Sequence, residues 1–409
     1  MRLGRLMAAV VAAAGLLWPS ISTSAGLTRA QVGRLVGLHL DELVASGSLS
    51  MNNQALGHIT IRSSLDIPLQ RWVVGQLLRS RALAAGVVAL DATSGRVLAL
   101  AGVEGGRPWA WNALIPAIPA ASLFKIVTAA ALIEQAGLGP FSPLTYVGRA
   151  HTLYRFQLRW PQPWRRPIRT TLARAFARSN NALFGRLGLR LLGPKVLTRY
   201  ARAFGFEGDL GLEIALPPSR LMHPASDFGV AEMACGFNRV TTTSPLHAAL
   251  MAAVAPTGGR MPIPWIVNEV VGSTGEVLYR QGAPRARVVV RPATARALEE
   301  LMQATVRIGT ARRAFRRVVR SRAWAGIVFG AKTGTIASRD KRERYEWLAA
   351  YAKGPGKIVA LGVVVVHNGY RRQSARVLGC RVLTRIMRPG PLRRAVHRQR
   401  RSPGPGIGG

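Results

Sequence analysis

Along the chain, hydrophobic and polar positions change their spacing several times, and each change marks an element. An apolar run over residues 6–18 follows Arg2 and Arg5 and gives way to small residues up to Ala25, which is the form of an export signal. It falls short of the roughly 20 apolar residues of a membrane-spanning helix, although an uncleaved amino-terminal anchor is the alternative reading. Residues 26–62 carry no strong pattern. Residues 63–70 (SSLDIPLQ) open a helix through Leu78, with Asp66 near its start.

The spacing then turns strand-like. Residues 86–90 (GVVAL) and 96–100 (RVLAL) are β-rich runs joined by Asp91-Ala92-Thr93-Ser94-Gly95, the composition of a hairpin turn. From about 119 to 308 the pattern is mostly helical, and Pro245 and Pro292 stand at plausible first helical positions after Ser244 and Arg291. Three strand-like runs follow at 327–336, 345–351 and 357–366. The most apolar segment of the mature chain, IVALGVVVV at 358–366, is short, β-branched and flanked by Lys357 and Asn368, so it reads as a buried strand. A closing helix is expected over about 372–387, and the Pro-, Gly- and Arg-rich residues 389–409 read as a solvated tail.

These elements predict an α+β fold. The hairpin and the last three strands would make one antiparallel five-stranded sheet flanked by helices, with a mainly helical subdomain inserted between them. The expected division is a signal peptide or anchor (1–25), a short amino-terminal segment (26–62), one domain (63–388) and a basic tail (389–409).

Composition adds a strong charge bias. In 409 residues, 57 Lys and Arg face 18 acidic residues, for a formal net charge of +39. That balance suits an anionic membrane or envelope surface, and base composition of the gene accounts for it as well. The densest cluster, Arg312, Arg313, Arg316, Arg317, Arg320 and Arg322, comes with no zinc-finger, RNA-recognition or helix-turn-helix pattern. It reads as a solvated basic face, and no nucleic-acid partner is expected. Two cysteines, Cys235 and Cys380, exclude a disulfide scaffold and a four-cysteine zinc site, and their apolar surroundings suggest two small buried side chains. The seven histidines are scattered and none forms H-E-x-x-H, so no metal, cofactor or Ser-His-Asp mechanism is indicated.

Three short patterns stand in order: Ser122-Leu123-Phe124-Lys125, Ser179-Asn180-Asn181 and Lys332-Thr333-Gly334. The first heads an apolar helical run, which puts Ser122 at a helix amino terminus with Lys125 on the same side three residues later. A serine hydroxyl becomes a nucleophile when a base takes its proton, and a partly buried lysine of lowered pKa can be that base. Backbone N–H groups at the helix start suit the negative charge of an acyl-transfer intermediate. The second pattern, among helices, supplies a hydroxyl at Ser179 and an amide at Asn181. The third lies on a strand-like run, where Gly334 leaves room for a substrate backbone and Lys332 offers a positive charge. Each is weak alone: Ser338-Arg339-Asp340-Lys341 repeats the first in a charged loop, and Ser50-Met51-Asn52 repeats the second out of order. Order and context together carry the signal.

In these three patterns the chain resembles the penicillin-binding transpeptidases and their serine β-lactamase relatives, over about residues 60–387. Residues 63–70, 87–102, 302–311 (MQATVRIGTA) and 346–351 (EWLAAY) extend the resemblance. It departs at Ala121, where the family usually has Gly, and at Ile126, where it often has Pro; both read as packing positions. The resemblance implies that Ser122 is the acylated nucleophile, Lys125 its base and Ser179 the proton relay to the leaving amine. Asn181 would bind the substrate backbone, Lys332 with Thr333 and Thr335 the terminal carboxylate, and the N–H groups of Ser122 and Thr335 the oxyanion. Substrates would be D-Ala-D-Ala stem peptides of peptidoglycan, with β-lactams as covalent inhibitors, and the site would face the periplasm or the outer side of the cytoplasmic membrane. No E-x-x-L-N loop of a class A β-lactamase occurs between 125 and 332, and too few residues precede the hairpin for a glycosyltransferase domain. A D,D-carboxypeptidase, a serine β-lactamase and a non-catalytic β-lactam or muropeptide sensor are the alternatives.

Overall fold

The computed structural model describes residues 26–159 and 166–388, so the expected export segment (1–25) and tail (389–409) lie outside the described residues. The main sheet contains β1 (Ala84–Asp91), β2 (Val97–Glu104), β3 (Val328–Ala337), β4 (Arg344–Gly354) and β5 (Lys357–His367). A two-residue strand, Arg107–Pro108, adds a sixth member at one edge, giving the antiparallel order β3-β4-β5-β1-β2-edge. The expected α+β class holds, with one short strand more than the five expected. Its two exposed residues, Arg and Pro, carry no strand pattern in the sequence.

The central strand explains its own sequence. β5 lies between β4 and β1 and is buried from Val359 to His367, because both faces of the sheet are covered. The helices that position the site are α1 (Ile67–Ser80), α2 (Lys125–Ala136), α3 (Leu172–Ala177), α4 (Asn181–Leu187), α5 (Asp227–Cys235), α6 (Pro245–Ala253), α7 (Pro292–Arg307), α8 (Arg312–Arg320) and α9 (Ala375–Met387). As the sequence suggested, the Asp66 carboxylate caps α1 by accepting from the Leu69 N–H at 3.0 Å, and Pro245 and Pro292 begin α6 and α7.

Two apolar layers sandwich the sheet. On one face Leu77, Val87, Phe315, Leu361, Leu378 and Leu383 join α1, α8 and α9 to the strands, and on the other Phe124, Leu132, Leu250, Leu298 and Trp347 tie in the helical subdomain. Helix α6, buried along its whole length, lies so close to β5 that a Cβ at Gly362 would sit 1.9 Å from the Pro245 carbonyl oxygen. Glycine is what permits that approach.

Residues 26–62, without a strong pattern in sequence, form two helical segments, Arg29–Leu38 and Leu40–Ser46, and a hairpin of Ser48–Asn53 with Gly57–Ser63. The hairpin joins Val267–Gly272 and Val277–Arg280 in a separate four-stranded sheet. The helical spacing expected to about 308 is therefore interrupted between 260 and 288. One of its strands, Val267–Gly272, also pairs with Gly57–Ser63 some two hundred residues upstream, beyond the reach of any local pattern, whereas the others pair within the segment.

Candidate active site

The serine of the first pattern sits in a short 3-10 turn, Ala121–Phe124, that runs directly into α2. Ser122 is half-buried, whereas Leu123 and Phe124 are buried. Three contacts hold this turn. The Ala120 N–H donates to the Thr241 carbonyl at 2.9 Å, and the Trp347 indole of β4 donates to the Pro119 carbonyl at 2.8 Å. Gly236, just past α5, lies so near that a Cβ there would be 2.0 Å from the Ala121 carbonyl oxygen. Ala121 itself has φ of +49°, a left-handed conformation that glycine adopts more readily. The departure from the family pattern at this position is thus conformational as well as a matter of packing; Ile126 is a buried packing position, as expected.

Lys125 is fully buried, and its Nζ has three neighbours: Ser122 Oγ at 2.9 Å, Asn181 Oδ1 at 2.7 Å and the Cys235 carbonyl oxygen at 2.6 Å. Burial lowers its pKa to about 8. A neutral amine has two N–H bonds and one lone pair. Two of the three neighbours are carbonyl-type oxygens that only accept, so they take the two N–H groups, and the lone pair is left for the hydroxyl proton of Ser122. No carboxylate pairs with Lys125 among the described residues.

The second pattern links α3 to α4. Asn180 caps α4 by accepting from the Leu183 N–H at 2.9 Å, and Ser179 before it takes a φ of +56°. The Asn181 amide is oriented from behind: its Nδ2 donates to the His151 carbonyl at 2.9 Å, which turns Oδ1 toward Lys125. The Asn181 backbone N–H donates to the Ala150 carbonyl at 2.6 Å.

The third pattern lies on β3, the edge strand at the other end of the sheet. Lys332 is fully buried, and its Nζ donates to Ser179 Oγ at 3.0 Å and to the Thr333 carbonyl at 2.6 Å. Burial, and secondarily the charge of Lys125, hold its pKa well below the usual lysine value. Gly334 faces the serine turn, where a Cβ would meet Trp347 Cβ at 3.2 Å and Ala121 Cβ at 3.3 Å. Thr333 shares a hydrogen bond with Thr310, Oγ1 to Oγ1 at 2.5 Å. Thr335 is exposed and stands opposite Glu346, which is tied to Arg371 at 2.6 and 3.1 Å.

All eight residues singled out from the sequence, Ser122, Lys125, Ser179, Asn181, Lys332, Thr333, Gly334 and Thr335, therefore belong to three segments that meet in one cleft, with Lys332 bridging the second and third. The two look-alike patterns lie elsewhere. Ser338 closes the β3–β4 turn, bonded to Asp340 at 2.5 Å, and Ser50 pairs with Thr60 in the amino-terminal hairpin. Sequence reading gave no role to Thr310, although it lies in the G-T-A stretch at 309–311, or to the carbonyls of Cys235, His151 and Ala150, for which side-chain identity carries no signal. Cys235 and Cys380 are both buried and free. Among the described residues, no cluster of three metal-ligating side chains occurs, and no helix is long and apolar enough to cross a membrane.

A cleft where a serine-lysine turn, an S-x-N loop and a K-T-G edge strand converge on one antiparallel sheet defines a class of folds, and the comparisons place the chain within it. The chain belongs to the penicillin binding protein transpeptidase domain family, whose model matches residues 85–387. It is 26% identical over 226 residues to stage V sporulation protein D of Bacillus subtilis, covering 55% of this chain and 33% of that protein. It is 28% identical over 285 residues to penicillin-binding protein 1A of Neisseria cinerea, covering 64% of this chain and 32% of that one. The chain thus spans about a third of the length of these curated relatives. Among solved structures, apo penicillin binding protein 3 from Mycobacterium tuberculosis aligns with a TM-score of 0.67 at 21% identity, over 92% of this chain and 88% of that one. The imipenem acyl-enzyme complex of penicillin-binding protein A from the same organism aligns at 0.62 and 23% identity, over 79% and 78%. At these identities the structural likeness speaks for the fold.

Proposed function

We propose that this chain is a serine D,D-transpeptidase that cross-links peptidoglycan stem peptides outside the cytoplasmic membrane, with Ser122 as the nucleophile. The observation that carries this reading is the Lys125 amine, 2.9 Å from Ser122 Oγ with both N–H groups committed elsewhere. In the first half-reaction Lys125 accepts the Ser122 proton while Oγ attacks the carbonyl carbon of the penultimate D-Ala. The backbone N–H groups of Ser122 and Thr335 receive the developing oxyanion. The C–N bond breaks, the leaving D-Ala amine takes its proton through Ser179, and an ester to Ser122 remains. In the second, an acceptor amine attacks that ester, a C–N bond forms, the C–Oγ bond breaks, and the amine's proton returns to Oγ by way of Lys125.

The remaining residues fit substrate binding. Lys332 is fully buried with no carboxylate partner among the described residues, and the terminal carboxylate of the peptide supplies one there, beside Thr333 and Thr335. The open edge of β3 offers unpaired backbone groups to an extended peptide, and Asn181 meets its other side. β-Lactams, as mimics of the same substrate, acylate Ser122. The test is release of D-Ala from a D-Ala-D-Ala peptide by the purified chain and its loss in Ser122→Ala; release that persists in the variant contradicts the assignment.

A further inference from the structure

Helix α8 (RRAFRRVVR) buries only Phe315, which packs against Phe329 of β3 with ring centroids 5.9 Å apart. That anchor turns the rest of the helix outward. Arg312, Arg313, Arg316 and Arg317, with Ile308, Thr310 and Val377 of α9, line a groove of about 720 Å³. No acidic residue lines it, and none of the four arginines makes an ion pair among the described residues. Arg312 with Arg316 and Arg313 with Arg317 are like charges four residues apart on one helix, an arrangement that disfavours the helix unless an anion lies between them. Guanidinium forks suit carboxylates.

The groove's position gives it meaning. One of its lining residues is Thr310, whose hydroxyl is 2.5 Å from that of Thr333, at the end of the cleft proposed to hold the substrate's terminal carboxylate. That end empties when D-Ala leaves, and the acceptor amine must then attack the ester from the vacated side. We infer that the arginine groove binds the carboxylates of the acceptor stem peptide and thereby aims its amine at the acyl-Ser122 ester. The inference rests on the transpeptidase reading and deepens it, because the catalytic patterns alone do not separate transfer to an amine from transfer to water.

The test has two arms. In the first, the acyl-enzyme formed from a thioester donor partitions between water and a synthetic acceptor peptide with one free amine and two carboxylates. The ratio of transfer to hydrolysis, read within one acyl-enzyme, should fall at least about tenfold in Arg313→Gln/Arg316→Gln, and equally when the acceptor carboxylates are amidated. A ratio unmoved by both changes overturns the inference. In the second arm, Ser122→Ala protein binds the same fluorescently labelled acceptor without any chemistry; binding should weaken at least about tenfold in the arginine variant and as salt is raised. Failure of donor acylation in the wild type would remove the transpeptidase reading and leave this arm to decide the groove. Binding indifferent to amidation but displaced by phosphatidylglycerol vesicles would overturn the inference in favour of a membrane-facing groove.

Discussion

The side-chain oxygen of Asn181 lies 2.7 Å from Nζ of Lys125, and the nitrogen of the same amide is pinned to the His151 carbonyl at 2.9 Å. A neutral acceptor is thereby held where a carboxylate would keep the lysine charged. Replacing it by Asn181→Asp introduces that carboxylate. The midpoint of the acylation-rate profile against pH should then move upward by about one unit or more. Stopped-flow acylation by a chromogenic cephalosporin at several pH values measures it, and an unmoved midpoint would argue against Lys125 as the base.

The wild-type profile follows from the same geometry. Burial lowers the Lys125 pKa to about 8, and the neutral amine is the competent form. Raising pH through that value removes the proton, so the acylation rate should climb between about pH 7 and 9 and level off above. A rate that declines across this window contradicts the assignment.

Gly236 offers a stability test tied to the site. Gly236→Ala places a methyl group 2.0 Å from the Ala121 carbonyl at a φ of +70°, so backbone next to Ser122 has to move. The variant should lose about 2 kcal/mol or more in urea denaturation and acylate more slowly. Gly137→Ala is the matched control: its φ is +64° with nothing within 4 Å of the added methyl, so it should lose only about 1 kcal/mol, the conformational part alone. Equal losses in the two variants would mean that the close approach at Gly236 does not matter.

Thr310 meets the site through the Thr333 hydroxyl and through the Ala177 carbonyl just before Ser179, to which its N–H donates at 3.0 Å, which makes it a positioning residue. Thr310→Val should lower kcat/KM for a carboxylate-bearing penicillin by about fivefold, the worth of one hydrogen bond of about 1 kcal/mol. Thr310→Ser, which keeps the hydroxyl, should restore it. Loss of activity in both variants would point to packing instead.

Much of this was legible in the residues, for identifiable reasons. β5 announces itself as a run of β-branched residues because both its faces are covered, and Asp66, Ser244 and Pro292 mark helix starts because their chemistry is local. The spacing of Ser122 and Lys125 was readable because three residues of helix bring two side chains together. The orientation of Asn181 was not, since it depends on the carbonyls of Ala150 and His151, and backbone atoms leave no mark in side-chain identity. The pairing of residues 57–63 with 267–272 was equally hidden: Ile59 and Ile61 alternate with polar residues and are buried, but the strand that pairs with them lies some two hundred residues away in sequence, and local spacing does not name it. The conformation of Ala121 runs against expectation, with a non-glycine residue held at positive φ beside the nucleophile by Gly236 and Trp347.

The central claim, that Ser122 is the acylated nucleophile, is tested most directly by incubating the purified chain with fluorescent penicillin and locating the adduct by peptide mass spectrometry. The expected result is one label on the peptide containing Ser122, absent in Ser122→Ala and undiminished in Ser338→Ala. A label found on another residue, or persisting in Ser122→Ala, would contradict it.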